Sequence, residues 1–169
     1  MSTGDATDLD RDNDGHRWPD DCNDTNPAIH PGAREIAGNK VDEDCIGAAA
    51  PFPTLSSIVH MTWNRSPFRL TSLTVRKAIR GSRITVRCRG RGCPDRTFVT
   101  KVRRTRNAVS VLDDELGKAR LRRGVTIEVR VTKTDYNGKM RRIVVRGDAQ
   151  DPRRIDRCLD ARSKRPFRC

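Results

Sequence analysis

Twelve of the chain's 22 Asp and Glu residues lie in the first 50 positions, which hold only 4 of its 35 Lys and Arg. Apolar residues are sparse in this stretch (Leu9, Trp18, Ile29, Ile36, Val41, Ile46) and scattered among Asp, Asn, Gly and Pro, with neither helical nor strand periodicity. Such a segment cannot bury enough apolar area to offset the entropy of ordering its backbone. It is therefore either a disordered acidic tail or a unit organised by something other than a hydrophobic core. Its carboxylates repel one another unless a cation sits among them, which would couple folding to metal binding.

The spacing favours the second alternative. Asp8-Leu9-Asp10-Arg11-Asp12-Asn13-Asp14-Gly15 offers two frames for an alternating-carboxylate loop, starting at Asp8 or at Asp10, and Gly15 selects the second. With Asp10 at loop position 1, Asp12 and Asp14 stand at 3 and 5, and Gly15 at the sharp turn. His16 then stands at the backbone-carbonyl position and Asp21 at position 12. A hard cation needs about six to eight oxygens, and such a turn wraps alternate side chains inward, so Ca2+ is the expected ion. Asp21 replaces the usual Glu, and no amphipathic helices flank the loop, so no opening helix pair is implied. His16 and His30 leave copper as a weaker alternative, since the surrounding ligands are hard oxygens.

The wider segment continues with Asp21-Cys22-Asn23-Asp24, Asn26-Pro27, Pro31-Gly32-Ala33-x-Glu35-Ile36 and Val41-Asp42-Glu43-Asp44-Cys45-x-Gly47. In that order these pieces resemble the MopE-like metal-binding motif repeat of bacterial secreted and surface proteins, over about residues 8–47. The resemblance implies Asp10, Asp12, Asp14, Asp21, Asp24, Glu35, Asp42 and Asp44 as ligands. Lys40 stands where that repeat commonly has glycine.

After position 50 the balance reverses to 31 basic against 10 acidic residues. Such asymmetry suggests two modules with different partners. Ala48 to Thr54, with Pro51 and Pro53, reads as the stiff start of a linker over 48–67. From Phe68 the apolar residues fall at alternate positions: Leu70-x-x-Leu73-x-Val75, Ile84-x-Val86-x-Cys88, Val109-x-Val111 and Val125-x-Ile127-x-Val129-x-Val131. Glycines and Asn137-Gly138 are expected to make the turns. Asp113 to Gly117 is expected to form one brief helical turn. The fold class that follows is mainly β: a small irregular disulfide-linked calcium module at 1–47, then an antiparallel Ig- or fibronectin-like sandwich of about seven strands at 68–147. Leu121 to Val131 is similar to the later strands of fibronectin-type sandwiches. A basic, irregular tail is expected at 148–169.

Six cysteines in a loop-rich basic chain suggest disulfides and an oxidising compartment, hence a secreted or cell-surface protein, although no signal peptide is visible. Cys22 and Cys45 bracket the acidic segment and would fasten its two ends. Cys88 and Cys93 flank glycines suited to a small ring, which leaves Cys158 to pair with Cys169. Six cysteines allow 15 connectivities, and a four-thiolate zinc site from Cys88, Cys93, Cys158 and Cys169 is the competitor. The second half also resembles basic β-domains of bacterial surface proteins. Its arginines alternate with strand apolar residues or occupy turns, which makes either a solubilising surface or a patch for phosphate, anionic lipid head groups, nucleic acid or an anionic cell-surface polymer, the last two being the rival reading in which the metal is purely structural. Nucleic acid is disfavoured because no recognition helix, zinc finger or aromatic platform is visible. No catalytic spacing appears, so a non-catalytic protein is expected. No apolar run approaches the length of a membrane span.

Overall fold

The computed structural model describes residues 10–65, 67–147 and 150–169. The chain divides into two compact units, Met1–Phe52 and Pro53–Cys169. Asp8, Leu9 and the alternative loop frame beginning at Asp8 lie outside the described residues.

The first unit has no helix or strand among its described residues. It contributes nothing to the buried apolar cluster, and Trp18, Ile36, Val41 and Ile46 are exposed. Its backbone is a succession of turns held by side-chain carboxylates and by the Cys22–Cys45 disulfide.

The second unit is built from antiparallel sheets. Its strands are β1 (Ile58–Arg65), β2 (Phe68–Ala78), β3 (Arg83–Arg89), β4 (Thr97–Lys101), β5 (Arg106–Ser110), β6 (Thr126–Lys133), β7 (Tyr136–Val144), β8 (Arg153–Leu159) and β9 (Pro166–Phe167), with α1 (Asp114–Lys118) between β5 and β6. One sheet has the order β1-β2-β5 and the other β4-β3-β6-β7-β8-β9. Leu70, Leu73 and Val75 of β2, Ile84 and Val86 of β3, and Ile127, Val129 and Val131 of β6 belong to one buried cluster, so the two sheets share a core. Leu116 of α1 joins it, and Asp113 caps that helix by accepting a hydrogen bond from the Glu115 N–H.

The three-residue step from Leu70 to Leu73 breaks strict alternation, yet both side chains are buried. The β1–β2 register explains this: Thr62 faces Ser72 while Trp63 faces Leu70, so Thr71 is an extra residue. Such a bulge re-aims the chain and keeps both leucines inward.

Three sequence expectations need correction. The linker over 48–67 is interrupted by β1, which pairs with β2 along its length. Its signal was faint because only Val59 is buried there, while Met61 and Trp63 are half-buried. The irregular tail contains β8 and β9; β8 is mostly Arg and Asp, and its strand state comes from pairing with β7. Asn137-Gly138 is not a turn but part of β7, and the chain reverses before it, at Thr134-Asp135. Gly138 is required for close approach, since a Cβ there would lie 2.6 Å from the Val131 carbonyl oxygen. The expected disulfides are present: Cys88 pairs with Cys93 and Cys158 with Cys169, and no free cysteine remains among the described residues for the competing four-thiolate zinc site.

No helix among the described residues is long and apolar enough to cross a membrane.

Candidate metal centre

Alternating aspartates curl the chain because each carboxylate can accept hydrogen bonds from amides a few residues ahead. The Asp14 N–H donates to Asp10 Oδ1 and to Asp12 Oδ1, both at 3.2 Å, and the Gly15 N–H reaches Asp10 Oδ2 at 3.2 Å. The His16 N–H closes the turn on Asp14 Oδ1 at 2.7 Å. Asn13 and Gly15 both have positive φ, 61° and 92°, which brings the alternate side chains to one side. One carboxylate oxygen from each of Asp10, Asp12 and Asp14 lies within 4.8 Å of the other two.

Asp21, in the following turn, is near enough for its charge to act on Asp12, although its carboxylate groups with the Cys22 and Cys45 sulfurs rather than within 4.8 Å of all three loop carboxylates. It is fully buried, with Oδ1 accepting the Asn23 N–H at 2.8 Å. The second oxygens of Asp12, Asp14 and Asp21 are buried and have no hydrogen-bond partner among the described residues. Desolvation, together with the charges of Asp14, Asp21 and Asp10, pushes the Asp12 carboxyl above its ordinary value and outweighs the hydrogen bond from the Asp14 amide. Anionic oxygens left without donors are costly, and a cation is the ligand that satisfies several at once. The loop carboxylates fit a hard divalent ion, for which Asp10, Asp12 and Asp14 would be the holding residues, with Asp21 the nearest further carboxylate.

Glu35, Asp42 and Asp44 form a second cluster, again with one oxygen each within 4.8 Å. Glu35 is already engaged: it accepts from the amides of Glu43 (2.6 Å), Asp44 (3.3 Å) and Ala50 (2.6 Å). Asp42 retains a buried oxygen without a partner, and desolvation followed by the neighbouring Asp44 and Glu35 raises its pKa. The expected ligand set is thus divided: Asp10, Asp12 and Asp14 in one cluster, Glu35, Asp42 and Asp44 in another, and Asp21 beside the Cys22 and Cys45 sulfurs. The Cys22–Cys45 disulfide joins the residue after Asp21 to the residue after Asp44. Asp24 joins neither cluster; its Oδ1 accepts the Arg11 N–H at 3.1 Å.

The sequence reading missed Glu43. It is buried and accepts hydrogen bonds from the Ile36 N–H and the Asn39 side-chain amide. The amide of Ile36 lowers its pKa most, ahead of the opposing effect of burial. Glu43 therefore serves as an ionised internal brace, and its place in an Asp-Glu-Asp run gave no sign of which carboxylate turns inward.

His16 and His30 do meet, but as stacked rings with centroids 4.5 Å apart and planes 7° apart. Ring-nitrogen lone pairs lie in the ring plane, so two parallel stacked imidazoles do not converge on one ion.

Residues 21–50 match the family model Cu-binding_MopE, described as "Putative metal-binding motif". The match begins at Asp21, so the Asp10–Asp14 loop and His16 precede it. Metal binding is supported by this motif and by the clustered carboxylates, and the family's name points to copper. No curated protein and no solved structure matches the chain significantly.

Proposed function

We propose that the first unit is a calcium site and that the chain is a non-catalytic secreted or cell-surface protein whose basic sandwich serves adhesion or anchoring. The observation that carries the calcium reading is the buried Asp21 carboxylate, with one oxygen unsatisfied, set beside the Asp10–Asp12–Asp14 turn. An all-oxygen set of three clustered carboxylates with a fourth nearby suits Ca2+ better than copper, which favours imidazole and sulfur. Three disulfides support an oxidising compartment. The strand orders β1-β2-β5 and, within the six-stranded sheet β4-β3-β6-β7-β8-β9, β4-β3-β6-β7 support a fibronectin-like sandwich extended by β8 and β9, a scaffold whose end loops commonly bind partners.

Copper is the second reading, favoured by the family's name. Calorimetric titration of the oxidised chain with Ca2+, Mg2+ and Cu2+ separates the two. Calcium binding that survives His16→Ala and is lost in Asp12→Asn supports the first reading. Copper binding that is lost in His16→Ala, without a calcium response, replaces it.

A further inference from the structure

Five of the second unit's ten Asp and Glu residues pair with particular arginines. Glu128 holds Arg130 and Arg142, Asp156 holds Arg141, Asp113 and Glu115 hold Arg96, and Asp151 holds Arg65. By contrast, the sequence from Thr97 to Leu112 contains no Asp or Glu and carries Lys101, Arg103, Arg104 and Arg106. All four are exposed, and none forms an ion pair among the described residues.

These four cations line one groove of about 500 Å3 between the end of β4 and the length of β5. Both are free on that side: β4 is an edge of its sheet and pairs only with β3, and β5 is an edge paired only with β2. Val102 and Val109 give the groove an apolar floor, while Thr100 and Ser110 add hydroxyls. The connection from β4 to β5 is fastened to the β2–β3 turn. The Gly81 N–H donates to the Val102 carbonyl (2.9 Å), the Val102 N–H to the Ser82 carbonyl (2.8 Å), and the Arg80 N–H to Thr105 Oγ1 (3.1 Å). Cations on a fixed rim repel one another without a counter-charge and need little ordering when an anion arrives.

We propose that this groove binds a linear acidic polysaccharide through the sulfate or carboxylate groups repeated along its sugars. The proposal rests on the reading of the basic sandwich as an adhesion module and places its contact surface. Arginine forks match planar or tetrahedral oxyanions, and the apolar floor with flanking hydroxyls suits sugar rings. Nucleic acid is the poorer occupant because no aromatic side chain lines the groove for base stacking, and Phe98 of β4 is covered by the Arg96 guanidinium at 4.9 Å.

The test uses the full oxidised chain without added divalent metal, titrated with a heparin-type dodecasaccharide, an oligogalacturonate of equal length and a single-stranded oligodeoxynucleotide over a series of salt concentrations. The triple variant Arg103→Ser, Arg104→Ser, Arg106→Ser should weaken glycan binding at least about tenfold and reduce the log–log salt slope by about three. A control triple at the exposed Arg91, Arg122 and Arg123, each changed to Ser, should alter affinity less than about threefold. Equal losses in the two triples overturn the groove and leave the adhesion reading standing. Failure of the parent chain to bind either glycan overturns both, and tighter binding of the oligodeoxynucleotide overturns the choice of polysaccharide. The two glycans distinguish sulfate from carboxylate as the recognised group.

Discussion

Replacing Asp21 by Asn should have opposite effects with and without calcium. The side chain is fully buried, Oδ1 accepts the Asn23 amide, and Oδ2 has no partner beside Asp12. Asparagine preserves an acceptor for the Asn23 amide but removes the charge. With calcium bound, a charged contact is lost, worth about 2 kcal/mol, or roughly a thirtyfold rise in Kd. In chelator the same change removes an uncompensated buried charge from a group of like charges and should stabilise the first unit by about 1–3 kcal/mol. Asp20→Asn, one residue away and exposed, should change Kd less than about threefold. Calorimetry supplies Kd, and amide exchange at Asp14, Gly15 and His16, whose N–H groups donate to the loop carboxylates, reports local opening. If Asp21→Asn destabilised the unit equally in calcium and in chelator, the argument that an ion compensates these carboxylates would fail.

Other substitutions probe the frame around the site and the core of the second unit. Lys40 has φ 73°, so Lys40→Gly should stabilise the first unit by about 1 kcal/mol in denaturant unfolding. Gly92→Ala should cost more than about 2 kcal/mol, because its φ is 93° and the added Cβ would meet the Arg120 carbonyl oxygen at 2.2 Å. Leu116→Ala should cost about 2–5 kcal/mol, since this residue carries α1 into the core and is fully buried. Burial raises the Glu128 pKa, but hydrogen bonds and charges from Arg142 and Arg130 outweigh it and hold the carboxyl below its ordinary 4.5. Its stabilising contribution is therefore complete above that value and is lost as pH falls through the lowered one. Glu128→Gln should flatten the acid side of the stability profile of the second unit, and an unchanged acid slope would dismiss the pairing as an energetic term.

Period-two patterns were legible where both the burial and the charge alternated. Ile127, Val129 and Val131 mark β6, and Ile84, Val86 and Cys88 mark β3, each in the expected phase. β1, β8 and β9 were not legible although each pairs with its neighbour in sequence: β1 buries only Val59 fully, β8 is mostly Arg and Asp, and β9 is two exposed residues, so their strand state rests on backbone pairing rather than on an apolar pattern. Asn137-Gly138 misled because the dipeptide that favours a tight turn also supplies the missing Cβ that close packing against Val131 demands. In the first unit, the Asp10–Asp14 turn was readable from local spacing. The separation of Glu35, Asp42 and Asp44 into their own cluster was not, since it depends on how Glu35 gathers the amides of Glu43, Asp44 and Ala50.

The first unit's lack of an apolar interior also determines how it responds to heat. A positive heat-capacity change on unfolding comes mainly from exposing hydrocarbon to water, and here Trp18, Ile36, Val41 and Ile46 already face solvent. Its melting enthalpy should therefore vary little with temperature, whereas that of the two-sheet unit should rise steeply. Cooling would weaken the sandwich's oily interior while leaving the ion-held turns almost indifferent, so the two halves of one chain would obey different thermal laws.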